Sequence, residues 1–260
     1  HTAQYFGLKK LGAVAPGYRA NLAVINNLSE IQVQKVYKGG HLVAENGQML
    51  QVEPKQTQTW DEEIVQRVFH SFHCKPIQTP DLTLKKTGNQ IRVIDLVSHE
   101  LITRERTEPW IERNGLAPGV DPCKDIVKLV ALERHKGNGH IGIGFLGNYG
   151  LKKGAVATSV GHDSHNLVIA GVTNEDIAAA GNRVLENEGG LAIAVDGKVV
   201  LDLPLTIAGL MSELSVEETD RRLEQMKALT RELGVHEDID AFMTPVSYTH
   251  LRAHETRRHL

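Results

Sequence analysis

Apolar and polar positions change rhythm along this chain. From residue 11 to about 53 the runs are short and turn-bounded: "LAVINN", then "IQVQKVYKGG" with Ile31 and Val33 alternating before Val36 and Tyr37, then "HLVAENGQMLQV" folded back at Asn46-Gly47. Asn-Gly between apolar runs is a strong short-range hairpin signal, so this stretch predicts a small antiparallel β unit. Before it, residues 1–10 read as the last turns of a helix stopped by Gly7 and Gly12. After it, Pro54, Pro76 and Pro80 interrupt any period over 54–90, which reads as a connection with a short helix near Asp61 to Phe69.

From Ile91 a second pattern starts. "IRVIDLV", "LITRERT", "IVKLVALERH", "AVATSV" and "LVIAG" predict strands, and "GLAIAVDGKVVLDLPL" predicts a hairpin turned at Asp196-Gly197. "NEDIAAAGNRVLENEG" predicts a helix capped by Asn174, with acids in its first turn and Gly189 past its end. "SVEETDRRLEQMKALTRELG" predicts an amphipathic helix with a Ser215–Glu218 capping box, Leu223, Met226 and Leu229 on one stripe, and Gly234 closing it. The expected fold is α+β: a small antiparallel β unit followed by an α+β domain over 91–245 with a mixed or antiparallel sheet.

Residues 246–260 break every pattern. "VSYTHLRAHET" has no apolar period, is suddenly rich in His and Arg, and resembles the in-frame translation of a common transposon-based sequencing adaptor. We read 246–260 as a non-native tail, so His250, His254 and His259 carry no functional information. The tail is basic, so the rest of the chain is more acidic than the formal charge of −3. That balance argues against a nucleic-acid face. No run of about 18 apolar residues marks a membrane span, and the start shows no signal-peptide pattern. Cys74 and Cys123 form no CxxC, so a reduced, cytoplasmic setting is expected.

One stretch concentrates chemistry. Gly161 to Asn166, "GHDSHN", places His162, Asp163, Ser164, His165 and Asn166 between two apolar runs. His162 and His165 are three apart, and Asp163 could add an oxygen ligand, yet no third protein ligand stands nearby for a metal. A polar turn capping its own backbone is the other reading, and a polar ligand contact the third. "FHSFHC", Phe69 to Cys74, is a second HxxH, with Phe69 and Phe72 expected to pack rather than a zinc ion to bind. His99, Glu100 and His140 read as surface or core residues. "NGHIGIGFLGNYGLKKGA" contains a G-x-G-x-x-G spacing at Gly142, Gly144 and Gly147, but Gly150 and Gly154 would break the helix a dinucleotide site requires. It reads instead as a mobile, glycine-rich loop. "TRERTEPW" reads as a solvated strand whose arginines could meet an anionic or purine-like ligand.

A resemblance narrows these readings. "TAQYFGLKKLGAVAPGYRANLAVIN" is similar to the end of amidohydrolase-superfamily enzymes, with Gly12, Pro16, Gly17, Ala20, Asn21 and Leu22 matching the turn that leads into their closing β-sandwich. Asn21 stands where many members carry Asp. "VIDLVSHELITRE", "DIVKLVALERH", "GFLGNYGLKKGAVATSVGHDSHNLVIAG" and "GGLAIAVDGKV" resemble the C-terminal domain of the bacterial adenine deaminase family.

The resemblance implies a fragment of a metal-dependent hydrolase of purine salvage that converts adenine to hypoxanthine and ammonia using Mn²⁺ or Fe²⁺. It implies that residues 1–10 end the last barrel helix, that 11–53 are part of a β-sandwich, and that 91–245 are the C-terminal domain. The catalytic TIM barrel and its metal ligands are expected upstream of residue 1, so no metal ligand is assigned here and the fragment alone is expected to be inactive. His162, Asp163 and His165 become candidate catalytic residues, and Ser164 and Asn166 candidate substrate-binding residues. Expected partners are adenine, the missing barrel domain and a possible second copy of the chain, with no nucleic acid and no membrane. The alternatives are a non-catalytic packing or oligomerisation module and another cyclic amidohydrolase.

Overall fold

Three tight hairpin turns form where two consecutive residues accept positive φ: Gly39-Gly40, Asn46-Gly47 and Asp196-Gly197. The structure is a computed structural model that describes residues 2–50, 60–98, 100, 102–161 and 164–245. The chain divides into two compact units at residues 59 and 60. In the first, the helix expected over 1–10 is confined to α1 (Thr2–Tyr5), and Gly7 follows at φ +64°. A single turn with no buried residue has nothing to hold it longer. β1 (Leu22–Ile25), β2 (Val33–Lys38), β3 (His41–Glu45) and β4 (Gln48–Met49) then form an antiparallel sheet in that order. Asn46 and Gly47 take φ of +49° and +77°, the conformation a two-residue hairpin turn requires. No described residue of this unit is buried.

The second unit carries the core. α2 (Glu62–Phe69) starts at Asp61, whose Oδ1 accepts from the Glu63 N–H at 2.9 Å. β5 (Gln90–Leu96), β6 (Thr103–Pro109), β7 (Ile126–Leu132), β8 (Ile141–Gly147), β9 (Ala155–Thr158) and β10 (Leu167–Gly171) precede α3 (Asn174–Glu186). β11 (Gly190–Val195), β12 (Lys198–Pro204) and α4 (Val216–Glu232) complete the unit. The eight strands form one sheet in the order β12-β11-β9-β10-β7-β8-β5-β6. β5 and β8 are parallel and every other neighbour is antiparallel, so the sheet is mixed as expected and the fold is α+β. Among the described residues no closed parallel barrel occurs, and no helix is long and apolar enough to cross a membrane.

Both faces of the sheet are covered. In β7, Val127 and Leu129 enter one core with Tyr149, Met226 and Phe242, while Val130 and Leu132 enter the other with Ile177, Ala180 and Val184 of α3. A strand buried on both faces reads as a near-continuous apolar run, which "IVKLVAL" is apart from Lys128.

Three expectations are corrected. The glycine-rich segment is not a loop through Gly147: Ile141, Ile143 and Phe145 alternate with Gly142 and Gly144 along β8, paired to β7 from Leu132↔Ile141 to Ile126↔Gly147. The alternation of large residues outweighs the turn preference of the glycines between them. Asn174 does not cap α3: Thr173 does, its Oγ1 accepting from the Asp176 N–H at 3.0 Å. Asn174 Oδ1 accepts instead from the Lys128 ammonium at 2.7 Å. α4 begins as expected at Ser215, whose Oγ accepts from the Glu218 N–H at 3.2 Å, but the Glu218 carboxylate is taken by Arg221 and Arg222.

Candidate functional site

Strand register decides what surrounds the GHDSHN turn. β9 leaves the sheet at Thr158 and β10 re-enters at Leu167, so residues 159–166 are the connection at one end of the sheet. Leu132 pairs with Leu167 and with Ile141, which brings the 133–140 connection to the same end. Leu191 pairs with Thr158 and Gly190 with Pro204, which adds residues 186–190 and the segment after Pro204. Four connections distant in sequence thus share one edge.

Of the predicted site residues, Ser164, His165 and Asn166 are described; His162 and Asp163 lie outside the described residues. Ser164 is exposed, and its carbonyl oxygen lies 2.8 Å from His135 Nε2. His165 is half-buried at φ +49°, a left-handed conformation that His adopts more readily than most side chains. Its Nδ1 accepts from the Gly161 N–H at 3.2 Å, which assigns the ring proton to Nε2. Asn166 Oδ1 is shut off from solvent without a hydrogen-bond partner among the described residues. An orphaned buried acceptor costs about 1–3 kcal/mol and calls for an explanation.

Arg134 lies beneath this turn, a residue the sequence reading passed over as the end of a strand. It is 2% exposed. Its Nε donates to the carbonyl oxygen of His165, Nη1 to Ser71 Oγ at 2.9 Å and Nη2 to the Ala208 carbonyl at 3.0 Å. The guanidinium carbon stands 4.3 Å from the centroid of the Phe72 ring, and the Arg134 carbonyl accepts from the His73 N–H at 2.7 Å. The second HxxH segment is therefore joined to the first through Arg134. Phe72 packs as expected, but against a cation. Burial pushes the Arg134 guanidinium below its ordinary range, and pushes the neighbouring Cys74 thiol up to about 11. At neutral pH Cys74 stays a thiol, the form that neither ligates a metal well nor attacks a carbon.

The other candidates are placed elsewhere. Arg106 of "TRERTEPW" is bound by Asp95 at 2.9 Å and Glu108 at 3.1 Å, and Arg92 pairs across the strands with Glu105 at 2.8 Å. These arginines serve cross-strand pairs. The His140 N–H is held by Asn138 Oδ1 at 2.9 Å, and His99 lies outside the described residues. Among the described residues, no three His, Cys, Asp or Glu side chains are grouped as a metal site requires.

Comparison with known proteins identifies the family. Residues 100–252 match the family profile of the adenine deaminase C-terminal domain. The chain is 40% identical over 245 residues to the adenine deaminase of Kosmotoga olearia and 41% identical over 245 residues to adenine deaminase 2 of Carboxydothermus hydrogenoformans. It is 33% identical over 246 residues to the adenine deaminase of Lysinibacillus sphaericus. Each alignment covers 94% of this chain and 41% of the relative, so the chain spans about two fifths of the length of the curated relatives it matches. With more than half of its residues matched to that one profile, the chain belongs to the adenine deaminase C-terminal domain family.

Proposed function

We propose that this chain is the C-terminal part of a cytoplasmic, metal-dependent adenine deaminase of purine salvage, a hydrolase that converts adenine and water to hypoxanthine and ammonia at a cyclic amidine C–N bond. The observation that carries the reading is identity of about 40% to proteins named adenine deaminase, sustained over 94% of the chain. In this reading the metal, Mn²⁺ or Fe²⁺, is held by a catalytic barrel in the remaining three fifths of such a protein, as the family resemblance implies. Bound there, a divalent ion lowers the pKa of a water molecule and provides the attacking hydroxide.

The part assigned to this chain is the Ser164–Asn166 turn, with His162 and Asp163 as further candidates in the same segment. His165, protonated at Nε2, is a hydrogen-bond donor suited to a ring nitrogen of the purine. The exposed Ser164 hydroxyl both donates and accepts. The buried Asn166 oxygen, without a hydrogen-bond partner among the described residues, supports the reading, because a ligand or ordered network at the turn would account for it.

Two measurements test the proposal. The 260-residue chain supplied with Mn²⁺ is expected to show no adenine turnover; metal-dependent hypoxanthine formation by this chain alone would overturn the assignment of the metal to the barrel. In the full-length enzyme, His165→Ala is expected to lower kcat/KM for adenine by on the order of 100-fold, the scale of one positioned proton donor. Unchanged kinetics would leave the turn a structural element only.

A further inference from the structure

A guanidinium buried for stability alone is ordinarily matched by a carboxylate, because isolating the charge from water is costly. Arg134 is matched only loosely, by the attraction of Glu188 from beyond ion-pair distance. Among the described residues it forms no ion pair, and its three donor nitrogens are spent on neutral acceptors from three separate segments: His165, Ser71 and Ala208. The fit is close, since a Cβ on Gly209 would fall 2.9 Å from both Arg134 Nη1 and the Phe72 ring. The bond to His165 meets the carbonyl of the residue held at positive φ, while the imidazole of that residue is held by the Gly161 N–H. Backbone and ring of His165 are thus each held by a donor, and Arg134 supplies the one on the backbone.

We infer that Arg134 is the positioning residue of the deaminase turn: it touches no substrate, and it sets the orientation from which His165 presents its Nε2–H. The inference rests on the reading that this turn serves the deaminase. Without the guanidinium the His165 carbonyl loses its donor, the residue relaxes toward negative φ, and the imidazole swings out of register. Lysine is a poor replacement, since one ammonium cannot reproduce a planar fork that holds three segments at once.

The test uses the full-length enzyme carrying Arg134→Met, Arg134→Lys, His165→Ala and the Arg134→Met/His165→Ala double substitution, each assayed for adenine turnover and thermal midpoint. Arg134→Met is expected to lose about 100-fold in kcat/KM, the scale of an ångström-level misplacement of a catalytic group. The double substitution is expected to be no slower than the slower single one, because both remove the same contribution. Arg134→Lys is expected to recover less than about a tenth of the activity, its ammonium lacking the guanidinium fork. In a further variant, Arg134→Ala, whose shortened side chain leaves the site open, millimolar guanidinium is expected to raise turnover, and not to raise that of His165→Ala, a response that general destabilisation does not produce. Should Arg134→Met fail to fold, Arg134→Lys combined with His165→Ala carries the same additivity test. Losses that multiply, or an Arg134→Met enzyme within about twofold of wild type beside an impaired His165→Ala, overturn the positioning role alone. Wild-type kinetics in His165→Ala overturn the reading beneath it.

Discussion

Gly190→Ala is expected to destabilise the second unit by about 3–5 kcal/mol, lowering its thermal midpoint by roughly 10 °C. Gly190 adopts φ +137°, and a Cβ there would fall 2.2 Å from the Leu203 carbonyl oxygen and 3.2 Å from the Leu205 nitrogen. Both obstacles are backbone atoms, one in the paired strand and one just past its end, so no side-chain rotation relieves them. The same residue clamps the turn stem: its N–H donates to Ser159 Oγ at 2.8 Å, and its carbonyl accepts from the Ser159 N–H at 3.0 Å. Displacing Gly190 therefore loosens the exit from β9 as well as the β11–β12 hairpin. Gly144→Ala is the matched control, since Gly144 has no positive φ and nothing lies within 4 Å of its added methyl. Alanine there is expected to shift stability by less than about 1 kcal/mol. Denaturation of the 260-residue chain and its two variants decides it; equal midpoints for Gly190→Ala and Gly144→Ala would show that close strand approach is not what the first glycine provides.

That contrast marks how far the sequence could be read. Asn46-Gly47 and Asp196-Gly197 announced their hairpins because the turn chemistry is local. Ser215 announced α4 because a cap needs only its own next turn. Glycines in β8 misled for the same reason: their permissive backbones suggest loops, and only the pairing of Ile141 to Gly147 with β7 makes them strand. Asn174 and Thr173 are adjacent and equally able to cap α3. The choice fell to Thr173 because a lysine from β7 claims the Asn174 oxygen, a fact of the sheet rather than of the helix.

The candidate site shows the same division. GHDSHN was conspicuous by residue type, but its underpinning was not, since Ser71, Arg134 and Ala208 are far apart in sequence and meet only where the strands end together. The legible sign was the pair of cations in "IVKLVALER". A charge inside an apolar run buried on both faces must have a specific use. Arg134 spends its donors at the sheet end, and Lys128 spends its donors at the Leu82 carbonyl and the start of α3.

Raising the pH from 8 to 10.5 is accordingly expected to stabilise the wild-type chain relative to Lys128→Met by about 3 kcal/mol. Lys128 is fully buried, and its ammonium donates to the Leu82 carbonyl at 2.9 Å and to Asn174 Oδ1 at 2.7 Å. It faces the first turn of α3, where the helix dipole disfavours a positive charge. Burial pushes its pKa from 10.5 down to about 8, with Glu175 acting weakly in the other direction. Below pH 8 the lysine is charged in both the folded and unfolded chains, and the penalty of burying that charge is present in full. Between 8 and 10.5 the folded chain has released the proton and the unfolded chain still holds it, so stability rises with pH across that window. Cys74 acts against this trend: its thiol, raised from 9.0 to about 11 by burial, keeps its proton longer in the folded chain and lowers stability as pH climbs. Both proteins retain Cys74, so the difference between their stability curves isolates the lysine. Methionine preserves the unbranched stem among the apolar residues of that core and cannot titrate. Urea denaturation of both chains across the range checks the prediction; parallel pH profiles would mean that Lys128 keeps its charge in the folded chain throughout.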